Sequence, residues 1–373
     1  MPRPRRPANT LTALAGLCLC LVCVGAPLPA SACGWDNETY HAEGERLPCV
    51  TDVLLGFTTS HTREYYEARL AAMDEALAVV PVWLEGLDNK GVALLHLGRL
   101  EQAEAVMRQR FELAPEAYAG HANLGTVYTF MGRLDEAEEH IRAAMKIEPD
   151  AHFGREQLHL DFVLHLKRVA ADPRQKGANF MGLELSQQQR LSGSPAKYKA
   201  AGYTQREFDG LIAMLTVYGA HDHPDLLYAL GDLLALQGMK RLAWTAYHRA
   251  RLAGHPNTRE LYLLEKALSS ALEAEWRREH PDVERGGEGD YGPLGGVYRS
   301  KTNRSRRFRE KYQRWERAQV KDGLQVWTES GLTTIYNEMN ERRPRCKVAP
   351  IQRGEPAASK SSPKSAAAAP AKG

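Results

Sequence analysis

Two adjacent stretches of this chain copy one another at an offset of 34 residues, and this confines the fold more tightly than any other feature. LEGLDNKGVALLHLGRLEQAEAVMRQRFELAPE, beginning at Leu84, aligns with YAGHANLGTVYTFMGRLDEAEEHIRAAMKIEPD, beginning at Tyr118. Gly91 matches Gly125, Leu94 matches Tyr128, Gly98 matches Gly132, Ala103 matches Ala137, and Pro115 matches Pro149. Each position has a mechanical reading. Gly91 and Gly125 let the two helices of a hairpin approach closely, and Gly98 and Gly132 sit in the turn, where a positive φ costs a glycine little. Ala103 and Ala137 allow the second helix to pack tightly, and the prolines end it.

This pattern resembles the tetratricopeptide repeat. The resemblance implies an all-α solenoid of helix hairpins, here followed by an irregular C-terminal helical extension and a disordered tail. Arg110 departs from it, standing where the second copy has Ala144, and its long stem is expected to snorkel outward. A third hairpin fits the template from Pro224 to about residue 257, with Leu230, Gly231, Leu234, Gly238, Ala243, Tyr247 and Ala250 in place. Tyr65 to Pro81 reads as the second half of a hairpin whose first half is missing, as in a terminal cap. The array is thus expected over 62–170, an interrupting loop over 171–203, and further helices over 204–285. Within the last of these, Thr204 and Glu207 form a capping box. The 171–203 stretch carries Pro173, Gly177, Gly193 and Pro195, and a loop of that length is either functional or mobile.

In proteins of the resembled family, the first helices of successive hairpins line a concave face that holds an extended peptide or a partner helix. On this chain the corresponding positions are Asp88, Asn89, Val92 and Leu95, then Ala122, Asn123, Thr126, Thr129 and Phe130. Members that clamp a C-terminal carboxylate use Lys, Asn, Asn, Lys and Arg. Only Asn123 matches; Asp88, Val92, Asp225 and Ala229 replace the others. The groove therefore predicts a protein or peptide ligand of another kind.

The ends read differently. Arg3, Arg5 and Arg6, the apolar run Leu11 to Gly25 and the small residues Ala30-Ser31-Ala32 form a signal peptide over 1–32, so the chain is expected to be exported, periplasmic or secreted. Cys33 follows the cut. It has two readings, acylation as a lipoprotein or a bridge to Cys49 within a 33–61 segment. Such a bridge would close a short loop and contribute about 3 kcal/mol on the chain-entropy model. Cys346 is left as a free thiol, and the Ala, Pro, Ser and Lys tail over 347–373 has almost nothing to bury. Lys and Arg total 49 against 46 Asp and Glu. That near balance makes no case for a nucleic-acid partner.

No constellation carries recognisable chemistry, so neither a catalytic residue, a cofactor nor a metal is expected. Gly287, Gly289 and Gly292 match G-x-G-x-x-G, but without the strand and helix that would deliver amides to a phosphate; they read as a Gly-rich linker over 286–300. His221-Asp222-His223 lies where a loop enters a helix and has no second cluster at metal spacing. Asp150-Ala151-His152 reads as a junction between repeats, with Asp150 as a cap. Over 301–346 a basic, aromatic helical segment is expected. Arg299 to Lys321 holds ten Lys and Arg against Glu310 and Glu316, a net of +8, with Phe308, Tyr312 and Trp315 on one helix face. Such a helix either meets an anionic membrane surface or packs its aromatic stripe on the last repeat and leaves its cations in water.

Overall fold

The computed structural model describes residues 36, 38, 47–149, 155–216, 220–279 and 292–342. The expected signal, Cys33, the Asp150 junction, Gly287, Gly289, Cys346 and the tail lie outside them. Among the described residues every regular element is helical, and the helices pair as the repeat predicts. Helix α1 (Val50–Leu55) precedes α2 (Arg63–Val79), whose N-cap Thr62 accepts from the Tyr65 amide at 3.3 Å. Two hairpins follow, α3 (Leu84–His96) with α4 (Leu100–Leu113) and α5 (Tyr118–Met131) with α6 (Leu134–Ile147). Gly132 ends α5 at φ 72°, a left-handed conformation that a side chain would strain. A Cβ on Gly125 would lie 2.7 Å from Ile141 Cγ1, so the missing side chain is what lets α5 and α6 touch. Ala103, Ala137 and Ile141 are fully buried at these crossings.

Between these hairpins and the one read from Pro224, the next helix pair is split. Helix α7 (Arg155–Ala171) packs on α6 and, across an insertion, on α10 (Gln205–Thr216). Sequence spacing reads 171–203 as a loop; the structure instead folds it into a 3-10 turn (Pro173–Gln175), α8 (Gln187–Leu191) and α9 (Pro195–Ala200). Local caps explain the difference. Ser186 and Gln189 satisfy each other's amides, and Ser194 accepts from Lys197 ahead of Pro195 at the first helical position. The insertion is seated on α11 (Pro224–Leu236) through one buried carboxylate, Asp232. That group takes Arg190 Nε at 2.7 Å, Asn179 Nδ2 at 2.8 Å and the Tyr247 hydroxyl at 2.6 Å.

Helix α11 pairs with α12 (Lys240–Leu252), where Gly231 meets the Tyr247 ring, and α13 (Thr258–Glu279) packs on α12. The chain then returns. Helix α14 (Gly292–Lys321), about 45 Å long at 1.5 Å per residue, packs on both α1 and α2, and α15 (Glu329–Arg342) lies against it. Its start at Gly292 corrects the linker reading, because the last nine residues of 286–300 are already helix. Leu294 and Tyr298 pack into the core built by α10 to α13, with Tyr298 edge-on to His248 at 4.7 Å. Phe308, Tyr312 and Trp315 pack into the other core, that of α2 to α6. The aromatic stripe therefore faces inward as one reading expected, but it rests on the first helices of the array, not the last. Helix α1 makes the reciprocal contact, preceding α2 while packing on α10 and α12.

Candidate functional site

The expected groove divides into a filled half and an open half. On α3, Asp88, Asn89, Val92 and Leu95 are all buried. The cause is a polar cluster drawn from three distant stretches of the chain. Arg69, fully buried, donates to Asn89 Oδ1 at 2.9 Å and pairs with Asp36 and Glu38 at 2.7 Å each. Glu38 also pairs with His61 Nε2 at 2.5 Å and accepts from the Tyr65 hydroxyl at 2.9 Å. The other ring nitrogen of His61 meets Glu316 of α14, which in turn accepts from the Thr62 amide at 2.7 Å and the Tyr312 hydroxyl at 3.1 Å.

Burial alone would strip His61 of its proton, but Glu38 and Glu316 override it and hold the imidazole up at about 10. Burial likewise disfavours the charge on Glu38, yet His61 and Arg69 keep its carboxyl far below the usual range. Both imidazole nitrogens are occupied by carboxylates, so His61 presents no lone pair to a metal or a reacting proton. It is a tie, not a base.

Arg110 corrects a second expectation. It turns inward and is buried, with Nε 3.1 Å from Asp88 Oδ1, while Asn123 donates to the same oxygen at 2.6 Å. A snorkelling stem would leave Asp88 facing an apolar interface without a cation, and burial already pushes Asp88 up to about 6 against the pull of Arg110. Asp88 and Asn123 are therefore joined to each other across the two hairpins.

On α5, Ala122 and Thr126 are also buried, whereas Thr129 is half-buried and Phe130 is 54% exposed. Thr126, Thr129 and Phe130 line a cleft of about 390 Å³ together with Arg155, His159, Phe162 and Leu166 of α7. Met214 of α10 and Ala220, His223 and Leu226 at the entry to α11 complete it. Its walls are mainly hydrocarbon. His159 shares a 3.0 Å hydrogen bond with Thr129 Oγ1, and burial lowers the ring to about 4, so it is neutral at pH 7. His223, also lowered by burial, sets its ring against Phe162 at 5.1 Å. The charge of Arg155 is met by Glu156 at 2.6 Å. An apolar side chain beside a main chain that needs hydrogen bonds suits such a cleft.

Of the residues read from the sequence, then, the structure brings together Thr126, Thr129 and Phe130 and withdraws the rest into packing. The residues of α7, α10 and the entry to α11 that complete the cleft were missed, because the insertion separates α7 from α10 and hides that pair from a 34-residue comparison. The helical pattern from Gly154 to Ala170 was the available signal. His221, Asp222 and His223 turn to separate partners, Thr58, Arg249 and Phe162, and do not converge. Cys33, the expected partner of Cys49, lies outside the described residues.

A search of curated proteins finds no match to the chain. The family model described as "Tetratricopeptide repeat" matches residues 84–116 and 118–151, the α3–α4 and α5–α6 hairpins. Repeats of this kind mediate contacts between proteins, and the α3–α4 and α5–α6 hairpins are tetratricopeptide repeats within an all-helical chain.

Proposed function

We propose that this protein is a non-catalytic binding or scaffold protein that acts outside the cytoplasm and seats an apolar side chain of an extended peptide segment in the α5–α7–α11 cleft. Phe130 carries the reading. A large aromatic side chain stays exposed at the rim of a mainly apolar cleft whose one lining cation, Arg155, is paired with Glu156, on a helix whose groove residues Ala122 and Asn123 are consumed by packing. Thr129 and His159 supply the polar groups that would orient the bound main chain. A photo-crosslinking residue at position 130, used in the native cell, should capture one or a few partners. Phe130→Ala should then weaken the captured partner by about tenfold or more, as an aromatic anchor does. Unchanged affinity would place the contact elsewhere.

The signal over Arg3 to Ala32 supports the location, and we take Cys33 as the partner of Cys49 in an oxidising compartment. Mass spectrometry of the native N-terminal peptide separates this from the lipid-anchored alternative, in which Cys33 would carry acyl chains. Attachment through the basic 299–321 segment is the weaker route to a membrane. Its aromatic face is spent on the protein's own core, which leaves only electrostatic attraction.

A further inference from the structure

Where α1, α12 and α14 meet, a second cavity of about 330 Å³ is enclosed by the end of α1, the following 58–60 strand of chain, and His221 and Asp222. It has no part in the peptide cleft. Two guanidinium groups converge on it from different helices. Arg249 of α12 donates to Val53 O at 2.6 Å and His221 O at 2.5 Å, and Arg309 of α14 donates to Gly56 O. Both cations thus cap the carbonyl end of α1, which offers partial negative charge but no anion. Asp222 pairs with Arg249, yet its side chain is 81% exposed and turned to water. Arg309 has no carboxylate within ion-pair distance among the described residues, although it is half-buried.

The rest of the lining points the same way. Thr59, Ser60, Tyr298, Thr302, Ser305 and Gln313 line the space beside Leu54 and Leu55; Thr59, Thr302 and Ser305 donate to nearby carbonyls, from which a stronger acceptor could draw them. His221 Nε2 is buried there without a hydrogen-bond partner, while its Nδ1 lies 3.3 Å from Thr58 Oγ1. A half-buried cation short of an anion, beside hydroxyls that can turn toward one, is an arrangement that a small oxyanion completes.

We infer that this cavity is a binding site for a small oxyanion, a phosphate or a carboxylate, held between Arg249 and Arg309. A bound anion would bridge α12 to α14 and so join the end of the repeat array to the returning helix. The chemistry is reversible binding only.

The test uses the full mature chain. Thermal melts and titration calorimetry are run with inorganic phosphate and with succinate, against sodium chloride at equal ionic strength. Saturable one-to-one binding of either oxyanion, with a melting temperature that climbs with its concentration and no such climb in chloride, supports the site. The arm that binds tells phosphate from carboxylate. Arg309→Gln should weaken binding by about tenfold or more, since it removes a charge-assisted hydrogen bond. Arg309 also caps α1, so Thr302→Val is the companion variant. The Thr302 hydroxyl donates to carbonyls of its own helix, Tyr298 and Arg299; a bound anion would draw that hydrogen toward itself, so the loss of the hydroxyl should cost severalfold in affinity with the fold intact. Failure of both oxyanions to saturate the wild-type chain, or equal binding by wild type and both variants, overturns the assignment.

Discussion

Glu316 accepts a hydrogen bond from the backbone amide of Thr62 at 2.7 Å, and so satisfies the start of α2 from a helix 254 residues further along the chain. The same carboxylate meets His61, and these two contacts fasten the returning α14 to the first helix of the array.

Glu316→Gln keeps the shape and the acceptor for Thr62 but removes the charge facing His61. The expected cost is on the order of 2–3 kcal/mol, the range for hydrogen bonds to charged groups in buried sites. Urea denaturation measures it. A cost below about 0.5 kcal/mol, the level of a surface pair, would mean that the contact holds nothing together.

The same cluster sets a pH window. His61 is raised in the folded protein, so its contribution is complete below the ordinary histidine value of 6.5 and is lost as pH rises toward about 10. Glu38 and Glu316 are lowered, so theirs is present above the ordinary 4.5 and is lost as pH falls below it. Melting temperature should therefore decline on both sides, and His61→Gln should flatten the alkaline limb. An alkaline limb that persists in the variant contradicts the assignment.

Gly231→Ala should destabilise the fold, although alanine is the better helix former by about 1 kcal/mol. The new Cβ would lie 2.5 Å from Tyr247 Cε1, and that ring cannot swing away because its hydroxyl is held by Asp232. A net loss of about 1–2 kcal/mol is expected from overpacking, read from thermal or chemical unfolding. A gain in stability would show that the ring yields freely.

Asp232→Ala leaves Arg190 buried without its anion and frees the 172–204 insertion. Breaking a buried pair in this way costs about 3–5 kcal/mol. Limited proteolysis should cut the variant between α7 and α10 well before wild type. Equal resistance would place the anchor of the insertion elsewhere.

The hairpins were legible because their signals are local. Gly132 at the turn, Gly125 at the crossing and Ala137 beneath it each act within one 34-residue unit. The split α7–α10 pair was not, since α7 finds α10 only after the inserted segment has folded onto Asp232. Half of the groove was misplaced for a similar reason. Nothing near Asp88 or Asn89 in sequence announces that Arg110 will turn inward or that Asp36, Glu38 and Glu316 will arrive from both ends of the chain. Phe130 stays exposed because no returning segment among the described residues covers it.

Helix α14 also changes what kind of object the array is. A free-ended solenoid gains or loses a hairpin cheaply, melts unit by unit from its tips, and begins folding wherever a repeat forms. Here α14 packs on α2 and, through Tyr298, on α12, and α1 crosses back in the same way. An extra hairpin would carry the two attachment points apart, so the number of repeats is frozen by the length of one strut. Unfolding should be all-or-none across the α2–α13 span, and α2 must wait for nearly the whole chain to emerge before its polar start has a permanent partner.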